Sequence, residues 1–347
     1  MYTYKRFSEN RTEEERINIY NQRIKDAIEL YQKYHTEFVD RDCPFCEYHM
    51  SQEEAKEFAQ ERFHNTYEVV CCKHCNSLYV NPCPTQEMLN EYYMYGKCNE
   101  LLEEVYKKRA KKKSSDILDS RVICIAKYIE NIKKDEIKLL ELGCSSGGFL
   151  YRLKEYLKFI DSNKKVRLVG VDTNRGAIES NTDQELELYF GTAEEFLRTT
   201  DICFDIVWHT ELIEHIINPG ELFQMLYKKM NKGAYMIFTT PNAYSLEMKT
   251  LSYNAPRPLA PSIFPPMHLN AFSTINVSHF AIKHGFSVVT IETPGEFDLD
   301  MLELQRESNN DEMVLDILKM DENTKGLVQA ILAKTGGSSH MRCVLQK

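Results

Sequence analysis

The chain has 347 residues, 43% of them hydrophobic, and a formal net charge of −9. That length supports one large core or two smaller ones, and no apolar run approaches the roughly 20 residues of a membrane span. The acidic balance argues against a nucleic-acid partner, whose phosphates are ordinarily neutralised by Lys and Arg, and the amino terminus lacks the apolar core of a signal peptide, so a cytoplasmic location is expected.

Residues 11–36 are charge-rich, with Ile17, Tyr20, Ile24, Ile28, Tyr31 and Tyr34 spaced three to four apart. This predicts one amphipathic helix that packs on its own protein or on a second subunit of a homodimer. Five of the 11 cysteines fall between Cys43 and Cys75. In a reducing compartment such a cluster points to a metal before disulfides. The pairs Cys43/Cys46 and Cys72/Cys75 stand 25 residues apart, each a turn offering two thiolates to one tetrahedral ion. They are the expected ligands of a structural Zn2+ in a zinc ribbon; Cys71, His49 and His74 rank below them. A closed site of this kind serves folding and leaves no position for catalysis. Residues 84–134 read as helices, and their basic run Lys107–Lys113 reads as a solvated face.

From Ile137 strands and helices alternate, which predicts an α/β fold with a mostly parallel sheet covered on both faces. The apolar run Ile137–Leu142 enters Gly143-Cys144-Ser145-Ser146-Gly147-Gly148 and then a helix, the order of a nucleotide-binding βα unit. Within it, Glu141-x-Gly143-x-x-x-Gly147 puts Ser145 where a dinucleotide fingerprint wants its second glycine, and no P-loop lysine follows. That argues against NAD and against ATP. The second strand, Val166–Val171, ends at Asp172, where a carboxylate either accepts both ribose hydroxyls of an adenosine or caps the next helix. A third strand, Leu186–Phe190, leads to Gly191-Thr192-Ala193-Glu194-Glu195. The fourth reads Phe204-Asp205-Ile206-Val207-Trp208-His209-Thr210 and exits through Glu211-x-x-Glu214-His215 to Pro219. The fifth, Ala234–Thr240, meets Pro241-Asn242; then come Met267-His268-Leu269-Asn270-Ala271-Phe272-Ser273, a helix, Gly285-Phe286 with a strand, and Ser338–Gln346 as an antiparallel last strand.

Taken together, the Glu141 loop, Asp172 and the Glu211–Pro219 run resemble class I S-adenosylmethionine (SAM) methyltransferases, and in particular the small-molecule enzymes related to the ubiquinone pathway. The likeness extends over residues 137–294. It implies a Rossmann-like, seven-stranded sheet over 135–347, with insertions at 243–272 and 295–337. The N-terminal helix would then take 1–40, the zinc ribbon 41–83 and a helical linker 84–134. It also implies SAM as cofactor, its methionine part against Glu141, Gly143, Cys144, Ser145, Gly147 and the backbone of His209. Asp172 would face the ribose and the loop with Thr192 and Ala193 the adenine, with Thr173 and Glu214 also among the cofactor-binding residues. Thr192 and Ala193 depart from the Asp that the family often carries there.

Methyl transfer from a sulfonium needs no acid, because the thioether leaves neutral; the protein positions the acceptor and removes its proton. Histidines at the carboxyl edge suit that task, so His215 and His268 are the expected bases, with a loop-holding role as the bland alternative. A four-cysteine ribbon joined to this core and to the segment Thr293–Asp300 looks like methyltransferases of bacterial surface-glycan and nucleotide-sugar pathways, which implies a sugar-linked small-molecule acceptor. Two rivals stand beside it. One is an rRNA or tRNA methyltransferase, since one rRNA family also joins a zinc ribbon to this fold; the net charge and the missing Pro-Pro-aromatic tetrad speak against it. The other is a SAM-binding scaffold without catalysis.

Overall fold

The structure, a computed structural model, describes residues 13–98, 101, 115–255, 260–295 and 298–347. The basic run Lys107–Lys113 lies outside them. The amino-terminal periodicity becomes helix α1 (Glu13–Tyr34), which buries Ile19, Tyr20, Ala27 and Leu30. A Ser51/Glu54 capping box starts the short α2 (Gln52–Glu57). Strands β1 (Val69–Cys71) and β2 (Leu78–Val80) form an antiparallel hairpin. Helix α3 (Gln86–Tyr95) sets Met88 and Tyr92 against Leu30 of α1.

Then follow α4 (Ser115–Asn131), β3 (Glu136–Leu142), α5 (Gly148–Phe159), β4 (Lys165–Asp172), α6 (Arg175–Glu179), β5 (Leu186–Phe190), α7 (Ala193–Thr199), β6 (Phe204–Thr210), α8 (Pro219–Lys229) and β7 (Met230–Pro241). Strand β3 shows why the sheet is parallel and central. Ile137 and Leu139 leave one face, Leu140 and Leu142 the other, and all four are buried. A period of two with both faces apolar requires a helix layer on each side. Helices α4 and α5 supply one, with Val122, Ile125, Phe149 and Leu153 on Ile137, Leu139 and Trp208. Helices α7 and α8 supply the other, with Leu197, Leu222 and Phe223 on Leu140, Val207 and Phe238.

After α9 (Leu246–Thr250) and α10 (Asn276–Lys283) comes β8 (Ser287–Glu292), and the chain closes through α11 (Asp298–Leu304), α12 (Glu312–Leu318), α13 (Glu322–Thr335) and β9 (His340–Gln346). The seven strands run β5-β4-β3-β6-β7-β9-β8, the Rossmann-like methyltransferase order. The expected antiparallel last strand does complete the sheet, but from within: β9 pairs antiparallel with both β7 and β8 and leaves β8 at the edge. The helices between β8 and β9 build a small core of their own from Leu299, Leu302, Val314 and Leu318, with Leu251. Within Thr293–Asp300, Asp298 is buried and takes the Ser338 hydroxyl (2.6 Å), the Ser339 amide (2.5 Å) and Gln329 Nε2 (2.6 Å), which ties that segment to the turn before β9.

The cysteine-bearing hairpin is fastened to this body. Val80 donates its amide to the Leu269 carbonyl (2.9 Å) and Ala271 to that of Leu78 (3.0 Å), so β2 runs against the stretch that follows His268. Arg41 joins three parts, donating to the carbonyls of Val80 (3.0 Å), Ile217 (2.9 Å) and Leu269 (3.0 Å). Phe45 packs edge-on against Phe272, ring centres 4.9 Å apart.

Candidate active site

Four strand ends meet at one edge of the sheet. At the end of β3 the chain turns through Gly143, whose φ of +74° favours glycine and whose missing side chain faces open space. The amides of Gly143 and Cys144 both donate to the Val171 carbonyl, at 2.8 and 3.1 Å. Cys144 turns inward: its sulfur lies where a Cβ on Gly170 would come within 2.7 Å, so this pair of residues fits only with glycine on β4. The Cys144 thiol therefore faces the core. Ser145 stands at φ +51° and gives its amide to Asp172 Oδ2 at 2.7 Å, while Asn174 gives its own to Oδ1 at 2.8 Å. Asp172 thus joins the two loops, itself partly buried, with the exposed Thr173 beside it. Glycine is also called for at Gly147, where φ is +78° and α5 begins.

Glu141 is buried and its Oε2 has no hydrogen-bond partner. Burial, with Asp172 nearby, pushes its carboxyl well above the usual carboxylate range, and the Arg121 guanidinium on α4 opposes that. Burial lowers Arg121 in turn, and it makes no hydrogen bond or ion pair among the described residues. At the β5 exit, Gly191 donates to the Asp172 carbonyl (3.0 Å). Thr192 is engaged as the cap of α7, accepting from the Glu195 amide at 3.1 Å, with the half-exposed Ala193 following.

At the end of β6, the His209 side chain points into the core. It is fully buried between β3 and β7, its ring stacked on Phe238 at 4.8 Å, with neither nitrogen hydrogen-bonded. Burial lowers it to about 3. Its backbone pairs with Leu142 of β3 and Phe238 of β7. Glu211 sits at φ +47°, accepts from Thr239 Oγ1 (2.9 Å) and faces His340 Nε2 at 3.4 Å. Burial opposes its charge, yet His340 and the Thr239 bond hold it down to about 2. Burial likewise opposes the charge of His340, and Glu211 outweighs it and raises the imidazole.

Next to this pair Glu214 is buried, one oxygen taken by the Thr240 hydroxyl at 2.9 Å and the other without a partner, 3.7 Å from His215 Nε2. Burial and Glu211 hold its carboxyl well above the usual range. His215 pairs through Nδ1 with the Tyr93 hydroxyl at 2.9 Å, and its side chain is 21% exposed. Burial lowers it to about 4. His268 donates Nδ1–H to the Pro261 carbonyl (2.6 Å), which leaves Nε2 as an acceptor, and burial lowers it to about 3. The two rings meet edge-on at 4.8 Å, and donor atoms of Glu214, His215 and His268 all lie within 4.8 Å of one another. Backbone fixes this meeting: Leu269 donates to the Glu214 carbonyl at 2.8 Å. Such a group can share and move a proton. Beside Pro261 lies a small cleft lined by Ser245, Glu247, Met248, Ala260, Met301 and His340.

The four expected cysteines converge, their sulfurs within 4.8 Å of one another and the pairs Cys43/Cys75 and Cys46/Cys72 at 3.6 Å. An ideal tetrahedron of zinc–sulfur bonds has edges of about 3.8 Å. Hydrogen bonds from Cys43 and Ser77 bring Cys75 down to about 4, while burial pushes Cys46 up to about 11. His74 instead stacks on Tyr48 at 5.7 Å, and His49 pairs with Asp42 at 2.8 Å. Arg121, Tyr93 and His340 escaped the sequence reading, because α4, α3 and β9 reach this edge only through the topology; Glu211 stood in the quoted run without being assigned a role.

A family model described as "Methyltransferase domain" matches residues 94–291. Over 112 residues the chain is 30% identical to a ubiquinone biosynthesis O-methyltransferase of Caulobacter sp. (strain K31); the match covers 30% of this chain and spans 41% of that relative's length. Among solved structures it is similar to a SAM-dependent methyltransferase from Archaeoglobus fulgidus (21% identity, TM-score 0.44, covering 70% of this chain and 99% of the other). It is also similar to the plantazolicin methyltransferase BamL in complex with a triazolic desmethylPZN analog and SAH (14% identity, TM-score 0.46, covering 74% and 93%). Because the family match takes in more than half of the chain, over the strands that build this edge, the chain belongs to that methyltransferase-domain family.

Proposed function

We propose that the chain methylates a hydroxyl, amine or carbon of a sugar-linked small molecule, and that its four cysteines hold a structural zinc ion. The observation that carries the reading is the Glu214–His215–His268 cluster at the exit of β6, one strand from the Glu141–Gly147 loop and two from Asp172.

When bound, SAM supplies a methyl group on a sulfonium whose thioether departs neutral. Asp172 keeps lone pairs for ribose hydroxyls after serving two amides. Glu141, buried with an unpartnered oxygen, and Arg121, whose charge reaches it from α4, suit the ammonium and carboxylate of the methionine part, and the open side of Gly143 leaves room for it. The backbone of Thr192 and Ala193 flanks the adenine. His215, the more accessible imidazole and neutral at pH 7, takes the acceptor's proton on Nε2, facing Glu214; Tyr93 holds its other nitrogen. His268, anchored on Pro261, closes the other side.

Zinc is supported by sulfur spacing close to the tetrahedral edge. With methyl-labelled SAM offered to a panel of nucleotide sugars and, separately, to ribosomal and transfer RNA, label should enter the sugar fraction. Label in RNA alone would overturn the acceptor class, and tight SAM binding without transfer to any sugar precursor would favour the scaffold.

A further inference from the structure

Among the described residues, Arg23 is a cation without an anion. It lies on the inward face of α1, three residues after Tyr20 and four before Ala27, both buried. Tyr20 packs edge-on against Phe264 at 5.6 Å, and the Tyr67 hydroxyl donates to the Ala27 carbonyl at 2.9 Å, so this face is seated on the stretch that leads to His268. The neighbouring helix α3 brings Tyr93 onto His215. The charge of Arg23 is accordingly felt at His215, His268, Tyr92 and Tyr93.

The guanidinium Nε is buried with no hydrogen-bond partner, and the side chain makes no hydrogen bond or ion pair among the described residues. Asp26 on the same helix and Glu91 on α3 are engaged elsewhere. Asp26 accepts from Gln22 Nε2 (2.7 Å) and from the Cys98 amide (2.8 Å), and Glu91 is taken by Lys33 and Tyr34. A desolvated donor left unpaired is costly, and a ligand that completes it recovers that cost.

We infer that Arg23 binds an oxyanion, a phosphate or a carboxylate, carried by the acceptor, and so holds the atom to be methylated against His215. This rests on reading the Glu214–His215–His268 cluster as the acceptor side of the site. A planar guanidinium fork matches either oxyanion through two parallel hydrogen bonds. Arg121, whose charge reaches Glu141, serves the methionine carboxylate, so the anion at Arg23 belongs to the acceptor.

The test is calorimetric binding of inorganic phosphate, pyrophosphate and glucuronate to protein saturated with S-adenosylhomocysteine (SAH), for wild type, Arg23→Gln and Arg23→Lys. Affinity for at least one probe should fall by about tenfold or more in Arg23→Gln and partly return in Arg23→Lys, with SAH affinity unchanged. Preference for phosphates marks a phosphorylated acceptor, and preference for glucuronate a carboxylated one. Equal binding by wild type and Arg23→Gln, no binding of any probe to wild type, or joint loss of SAH binding in Arg23→Gln would each overturn the proposal. Failure of the cluster reading shows elsewhere, as unchanged turnover in His215 and His268 variants.

Discussion

Asp172 is shared between two loops before any ligand arrives, since its oxygens hold the amides of Ser145 and Asn174. The charge sets the shape of the glycine turn as well as its contacts. Asp172→Asn keeps the size and removes the charge, and hydrogen bonds to a charged group contribute about 1.5–3 kcal/mol. Titration with SAH should therefore show affinity lower by about ten- to a hundredfold; an unchanged constant would place the ribose elsewhere. His209 belongs to this scale too. Folded, it resists protonation down to about 3, whereas unfolded it protonates near its ordinary 6.5. Between those values the unfolded chain binds the extra proton, so its contribution is complete above about pH 6.5 and declines on acidification toward pH 3. His215 and His268 act in the same direction. His209→Phe keeps the stack on Phe238 and should flatten the fall of unfolding free energy between pH 6.5 and 4, as measured by urea denaturation; an identical slope would contradict it. At this scale the reading from sequence reached Asp172 and Glu141, because strand ends and spacing announce them. It missed the inward turn of Cys144, which depends on Gly170 of the neighbouring strand.

The hairpin with the four cysteines does more than close on itself. Through β2 and Arg41 it grips the stretch after His268, and that stretch in turn holds the Glu214 carbonyl. Loss of the metal should therefore loosen the placement of His268 more than it disturbs the glycine loop. A misplacement near 1 Å costs about a hundredfold in rate. Cys72→Ser should release zinc, lower methyl transfer by about ten- to a hundredfold, and leave SAH affinity within about twofold. Zinc analysis, label transfer and calorimetry check the three parts, and full turnover without zinc would refute the link. The convergence of the cysteines was legible because two C-x-x-C turns can each present two sulfurs to one point. Their grip on His268 was not, since the residues that make it lie about 190 positions apart and pair through backbone, which any side chain permits.

Across the whole molecule, the strands β3 to β6 could be read from their apolar runs, because a parallel strand buried on both faces leaves few alternatives. The place of β9 could not, since its alternation is satisfied beside β7, beside β8 or between them. That placement decides the site: it sets His340 against Glu211, just as α1, α3 and α4 bring Arg23, Tyr93 and Arg121 over the same edge. The central claim is that this edge moves a proton through the histidine pair while the glycine loop and Asp172 hold the cofactor. It is tested most directly by single-turnover methyl transfer at saturating SAM with His215→Asn and His268→Asn. The expected result is a rate lower by about a hundredfold or more in at least one variant, with SAH affinity retained. Unchanged rates in both variants would contradict it.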